Sequence, residues 1–247
     1  MEDRKYFIGA AGWNIASRYK DQFPQSGFHI ERYAGRLHAV EINSSFYRPH
    51  RRETYEGWAT LVPADFRFSV KMPRTITHQR RLADCDSLLD EFLEQVEGLG
   101  DKLGVLLLQL PPSLRFAPET AKNFFDALRR KAVAKIACEP RHESWFGVGA
   151  DTLLASFRIA RVAADPAKFQ GAGRPGGWPG LAYFRLHGSP RVYYSDYTAQ
   201  QLHDIRQQLA ALREAGAEVW CIFDNTAEGN ALGNAMALDD RWKKPAR

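Results

Sequence analysis

Apolar residues along the chain fall into two alternating patterns. Short runs rich in β-branched or aromatic residues recur roughly every 20 to 40 residues. They are YFIGAA (6–11), HAVEIN (38–43), FRFSVKM (66–72), GVLLLQL (104–110), KIACEP (135–140), RVAAD (161–165), LAYFRLHG (181–188) and EVWCIFDN (218–225). Between them, helical spacing groups Leu88, Leu89, Phe92, Leu93 and Val96 on one stripe, and Ala121, Phe124, Phe125 and Leu128 on a second. A third stripe joins Leu202, Ile205, Leu209 and Leu212. One apolar stripe per helix is what packing outside a parallel sheet requires. Strands alternating with helices predict the α/β class, and eight strands are the number that closes a (β/α)8 TIM barrel, here a single domain over 1–247. After the sixth strand, PAKFQGAGRPGGWPG (166–180) holds too much Gly and Pro for a stable helix, so a loop is expected in place of one helix. The rival is a doubly wound open sheet, but no GxGxxG follows the first strand.

Composition adds limits. Of 247 residues, 45% are hydrophobic and 26% charged, enough apolar material for a sizeable core. No apolar run approaches the roughly 18 to 20 residues of a membrane span, and MEDRKYFIGAAGW lacks the apolar stretch of a signal peptide, so a cytoplasmic protein with no membrane partner is expected. Cys85, Cys138 and Cys221 have no CxxC spacing, and two lie inside apolar runs, so they read as core residues. The net charge of +5 favours anionic partners, with part of it in a basic tail over 240–247.

Active sites in such barrels form at the C-terminal ends of the strands, so the residues found there matter most. From the first strand onward they are Trp13; Glu41 and Asn43; Lys71; Gln109; Glu139 with Arg141; Asp165; Arg185 with His187; and Asp224 with Asn225. Side chains two apart share a face. Tyr183, Arg185 and His187 therefore lie opposite Phe184 and Leu186, while Arg67, Ser69 and Lys71 lie opposite Phe66, Phe68 and Val70. Helices outside claim the apolar face, which sends the polar set into the barrel. So many interior charges are expensive unless they pair, ligate or meet a substrate. One reading is an internal salt-bridge network of Glu41, Glu139, Asp165 and Asp224 with Lys71, Arg141 and Arg185 that serves only the fold.

The ordered motifs GAAGW (9–13), VEINSSFYR (40–48), FSVKMPRTITH (68–78), LLLQLPPS (106–113), EPRHESW (139–145), FRLHG (184–188) and FDNTAEGNALGNA (223–235) span almost the whole chain. Together they resemble the YecE-like family, domain of unknown function number 72. The resemblance implies a TIM barrel and no established activity. It carries Glu41, Asn43, Lys71, His78, Gln109, Glu139, Arg141, His142, Trp145, Asp165, Arg185 and His187 as the family's polar positions. The family's last strand usually ends Phe-Asn-Asn, whereas this chain has Phe223, Asp224 and Asn225, one negative charge more.

Three functions fit these residues. In the first, an enzyme binds a small anionic substrate without a cofactor: Lys71, Arg141 and Arg185 clamp the anion, while Glu139 and His187 exchange protons with help from Glu41. Trp13, Asn43, His78, Gln109, His142, Trp145 and Asn225 complete its binding surface. The second is a metal-dependent phosphoesterase with a divalent ion on Glu139, Asp165 and Asp224. The third is binding of nucleic acid or a metabolite without chemistry, through Trp13, Phe46, Tyr47, Trp145, Tyr193 and Tyr194 beside Arg48, Arg51, Arg52, Arg74, Arg80 and Arg81. A lysine at a strand end is also a candidate imine-forming nucleophile, and Lys71 occupies such a place.

Overall fold

The computed structural model describes residues 5–243. Strands β1 (Tyr6–Ala11), β2 (Ala39–Ile42), β3 (Arg67–Lys71), β4 (Leu103–Gln109) and β5 (Lys135–Glu139) lie side by side in chain order, each pair parallel. They are followed by β6 (Ile159–Arg161), β7 (Ala163–Asp165), β8 (Gly176–Gly177), β9 (Leu181–Leu186) and β10 (Glu218–Phe223). Among the described residues these make one ten-stranded sheet in the order β7-β9-β10-β1-β2-β3-β4-β5-β6-β8.

The sixth barrel strand differs from the expected one. It begins two residues earlier, at Ile159, and is split at Val162 into β6 and β7. The first half pairs with β5 and the second with β9, so one short stretch of chain joins both open edges and closes the barrel. The tiny β8 folds back antiparallel on β6. No helix forms over 166–180, as the Gly and Pro content predicts. That segment is pinned from within. The Arg161 guanidinium donates to both carboxylate oxygens of Asp151 at 2.7 and 3.1 Å and to the carbonyl of Gly171 at 3.0 Å.

Helices α1 (His29–Ala34), α2 (Ser44–Tyr47), α3 (Arg52–Thr60), α4 (Asp86–Val96), α5 (Pro118–Lys131), α6 (Val148–Ser156), α7 (Ala199–Glu214) and α8 (Asn230–Lys243) fill the connections. Their limits follow local chemistry. Proline at the first position opens α5, and Arg129, Arg130 and Lys131 sit in its last turn, where the helix dipole favours cations. Thr198 and Gln201 form a capping box at the start of α7. The stripes read from the sequence become the buried faces, with Leu89, Phe92, Leu93 and Val96 on α4 and Ala121, Phe124, Phe125 and Leu128 on α5. The expected basic tail is corrected at its start: residues 240–243 belong to α8, and 244–247 lie outside the described residues.

Two apolar layers result. The larger lies between sheet and helices; the smaller fills the barrel with Phe7, Ala39, Val105, Leu107, Ala137, Ala160, Val162, Leu181, Tyr183, Trp220 and Ile222. Its centre is a stack in which Trp220 lies 4.7 Å from Phe7 and 5.9 Å from Tyr183, ring centre to ring centre. This stack is the floor on which the polar mouth rests.

Outside the barrel, Tyr33 of α1 is fully buried, and its hydroxyl bridges two strands. It accepts from the Ala10 amide at 2.9 Å and donates to the Ala39 carbonyl at 2.9 Å. Burial drives its phenol well above the ordinary value, so it stays protonated and able to donate. Removing the hydroxyl strands one buried donor and one buried acceptor. Tyr33→Phe is expected to destabilise the fold by about 1–3 kcal/mol, read as a lowered urea midpoint at unchanged m-value.

Candidate active site

Above the aromatic floor, the alternation of each strand sends the next inward side chain into a polar layer. Glu41 of β2, Ser69 of β3, Glu139 of β5 and Arg185 of β9 are all buried there. Tyr183 joins floor to layer, its ring in the stack and its hydroxyl 2.9 Å from Glu41 and 2.7 Å from Ser69. Burial, reinforced by the Glu41 charge, holds its phenol well above the usual range.

Arg185 is the hub. With no solvent exposure, its Nε and Nη2 donate to the two oxygens of Glu41 at 3.0 and 2.6 Å, a bidentate pair. Its Nη1 donates to Glu139 at 2.7 Å and Nη2 also to Asp224 at 2.9 Å, with Gln109 at 3.5 Å from Nη1. Burial alone would raise the Glu139 carboxyl, but Arg185, then Arg141 and His187, hold it well below the usual carboxylate range. Asp224 is lowered for the same kinds of reason, with Arg185 and His187 outweighing burial and Lys71 adding to them.

One step nearer the mouth, His187 stands between two acids, its Nδ1 3.0 Å from Asp224 and its Nε2 3.2 Å from Glu139. Arg141 reaches Glu139 at 2.5 Å and the same imidazole nitrogen at 3.1 Å. Each protonation state of His187 therefore has a complete set of partners. Neutral, it donates from Nδ1 to Asp224 and accepts from Arg141 at Nε2; charged, it donates from Nε2 to Glu139. Lys71 ends β3 with its Nζ 4.3 Å from the centre of the Phe46 ring. Burial first, and Arg185 second, draw its amine down to about 8, although Glu41, Glu139 and Asp224 pull the other way.

Half-buried Asn43 and Gln109 lie at this end, and among the described residues the buried Asn43 Oδ1 and Arg141 Nε have no hydrogen-bond partner. His78 meets the Phe46 ring edge-on at 5.0 Å and is lowered by burial, then by Lys71 and Arg74. Tyr193 lies edge-on to His187 at 5.9 Å.

Other expected site residues stand elsewhere. Asp165 does not join Glu139 and Asp224: it shares a strand face with Ala163, in register with the outward Phe184 and Leu186, and accepts from Tyr197 at 2.5 Å. The proposed metal trio is thereby corrected, and among the described residues no group of three or more His, Cys, Asp or Glu side chains could hold a metal ion. Trp145 is core, its indole donating to the Leu114 carbonyl at 3.0 Å. His142 caps the short turn 143–145 by accepting from the Ser144 amide. Trp13 packs edge-on against Trp58, and Asn225 donates to the Ser195 carbonyl and to Asn234. The aromatic set suggested for stacking bases is dispersed by burial: Phe46 and Trp145 are buried, which leaves Tyr47, Tyr193 and Tyr194 as its exposed members. Tyr183 and Ser69 were visible as inward positions in the alternation but carried no charge to mark them as part of the site.

The pattern of the family described as "Protein of unknown function DUF72" matches residues 7–247. The chain belongs to the DUF72 family. A UPF0759 protein YecE of Escherichia coli K12 is 34% identical over 123 residues, a match covering 49% of this chain and 44% of YecE. The chain thus spans less than half the length of that relative. UPF0759 protein YunF of Bacillus subtilis 168 is 23% identical over 94% of this chain and 93% of its own. Among solved structures, a DUF72 family protein of Enterococcus faecalis V583 has a TM-score of 0.80 at 19% identity, covering 98% of this chain and 97% of that one. One of Thermotoga maritima MSB8 has 0.77 at 23%, covering 97% and 99%. These likenesses bear on the fold, and they agree with the barrel. No helix among the described residues is long and apolar enough to cross a membrane.

The Arg185 arrangement of this DUF72 protein has a sharp thermodynamic signature. Lowered carboxyls contribute stability that is fully present above their ordinary range, near about pH 4, and lost as pH falls through the lowered values. Arg185→Met leaves buried carboxylates facing an apolar side chain. It is expected to cost about 3–5 kcal/mol at neutral pH. It should also introduce a pH dependence that the wild-type cluster lacks above about pH 5, because unpaired burial raises the Glu139 and Asp224 carboxyls and stability then declines as pH rises through the raised values. Denaturant titrations at about pH 5 and about pH 8 check this; a variant with the wild-type trend would show that Arg185 is not what keeps the carboxylates ionised.

Proposed function

We propose that this DUF72 protein is an enzyme that takes a small anionic substrate, carboxylated or phosphorylated, at the C-terminal mouth of the barrel and moves a proton through His187 and Glu139. The observation that supports this reading is what remains once Arg185 has been assigned its partners. Its guanidinium donors are engaged by Glu41, Glu139, Asp224 and Gln109, so it serves to hold the carboxylates and not to clamp a ligand. Glu41, bound by Arg185 and Tyr183, likewise belongs to the support. The groups left for an incoming anion are the Lys71 ammonium and the Nε and exposed edge of Arg141, whose side chain is 18% exposed.

Charge counting favours the same conclusion. Glu41, Glu139 and Asp224 are matched by Arg185 and Arg141, which leaves one negative charge. A single additional proton, on Lys71 or on His187, neutralises the cluster. An anion entering beside Lys71 and Arg141 meets these two cations, with His187 next to Arg141 and placed to pass a proton to or from the anion. Glu139, in contact with His187 Nε2, supports the imidazolium as it forms, and Asp224 fixes the ring from the other side.

Calorimetric screening of carboxylated and phosphorylated metabolites is expected to find ligands whose Kd rises about tenfold to a hundredfold in Arg141→Met, the loss of a charge-assisted hydrogen bond. Affinity unchanged by that substitution would sink the clamp. For any ligand that turns over, His187→Gln is expected to lower kcat by about a hundredfold to ten-thousandfold; an unchanged kcat would remove His187 from the chemistry.

A further inference from the structure

We infer that Lys71 is a nucleophilic amine that captures the carbonyl carbon of its substrate as an imine, so that the anion taken by this site is a small oxo acid or a carbonyl phosphate. The inference rests on the proposed use of the mouth as an anion site and adds which bond is made there.

Three features of Lys71 separate it from an ordinary anion-binding lysine. It is 7% exposed at the end of β3, with its amine at the face of Phe46 and not in open water. The neighbouring arginines are ion-paired, Arg185 to three carboxylates and Arg141 to Glu139. Lys71 Nζ, in contrast, has no acceptor in hydrogen-bond or ion-pair reach among the described residues. The charges that face it are Glu41 from β2, Glu139 from β5, Arg185 from β9 and Asp224 after β10, with His78 and Arg74 beside it on the β3 side. Their balance, with burial, leaves the amine near 8, so a substantial fraction is unprotonated at slightly alkaline pH. A lysine kept only to hold an anion gains from staying fully charged, whereas attack on a carbonyl needs the free lone pair.

The one-proton balance of the cluster supplies the complementary acid. When the extra proton resides on His187, Lys71 is neutral, and the site holds a free amine and an imidazolium together. The Lys71 nitrogen forms a bond to the carbonyl carbon while the carbonyl oxygen takes a proton from the imidazolium, giving a carbinolamine. The nitrogen returns a proton to His187, which hands it to the hydroxyl; the C–O bond breaks, water leaves and the imine remains. The sum is carbonyl plus amine to imine plus water, with no other reactant. Protonated on nitrogen, the imine draws electrons from the neighbouring carbon, where His187, held between Glu139 and Asp224, can take or return a proton.

The test is reductive trapping on the full chain with sodium cyanoborohydride and pyruvate, glyceraldehyde 3-phosphate or uncharged acetaldehyde, followed by peptide mass mapping. Lys71 is expected to be modified at least about tenfold faster than the exposed Lys20, Lys122 and Lys168, at a rate that rises with pH through a midpoint near 8. Faster trapping by pyruvate than by glyceraldehyde 3-phosphate assigns the oxo acid, and the reverse the carbonyl phosphate. Lys71→Met is expected to abolish the selective adduct and, as an apolar replacement of similar length, to keep the fold. Modification of Lys71 no faster than of the exposed lysines overturns the inference, even if anions still bind in calorimetry. Selective trapping that is equally fast with acetaldehyde and in Arg141→Met upholds the amine and overturns the anion clamp.

Discussion

The arrangement of the mouth depends on a guanidinium with no contact with water. Arg185 sits where the barrel interior changes from apolar to polar, and a lone cation there would be prohibitively costly. It persists because Glu41 takes it bidentately and because Glu139 and Asp224 complete its donors. The dependence is mutual, since burial alone would raise the Glu139 and Asp224 carboxyls, which Arg185 holds down. Placing the acids from β2, β5 and the end of β10 around one residue of β9 ties four strands of the barrel together electrostatically. It also decides which groups nearer the mouth remain uncommitted.

The uncommitted groups acquire their character from that hub. Lys71 is near Arg185 without sharing its carboxylates in direct contact, and so feels its repulsion; Arg141 and His187 share the outer oxygen of Glu139. Buried ion networks seldom stabilise a fold better than apolar packing would. A network that leaves one amine without a carboxylate partner and sets an imidazole between two acids is the arrangement on which the proposed chemistry rests.

Much of this was legible in the sequence because strand alternation is a strict rule. Period two sent Tyr183, Arg185 and His187 inward together and set Ser69 beneath Lys71. The same rule, applied to 161–165, turns Asp165 outward with Ala163, which proximity to a strand end alone does not reveal. The break at Val162 was not legible, because pairing one stretch with two different neighbours leaves no mark on hydrophobic periodicity. Nor was the distribution of hydrogen bonds among the cations: Lys71, Arg141 and Arg185 look alike as strand-end bases, and only three-dimensional reach reveals that one is saturated, one shared and one alone. Trp145 and His142 follow a catalytic-looking Glu139 and Arg141, yet the chain turns at 143–145 and gives them to the wall.

The aromatic stack of Phe7, Trp220 and Tyr183 separates the polar layer from the other end of the barrel, where Lys135 and Glu218 form their own ion pair at 2.6 Å. The stack itself touches both ends, Trp220 donating its indole N–H to Glu218 at 2.9 Å and Tyr183 its hydroxyl to Glu41 at 2.9 Å, so a charge altered at the Lys135–Glu218 rim reaches the mouth through ring-on-ring packing and not along a continuous chain of hydrogen bonds.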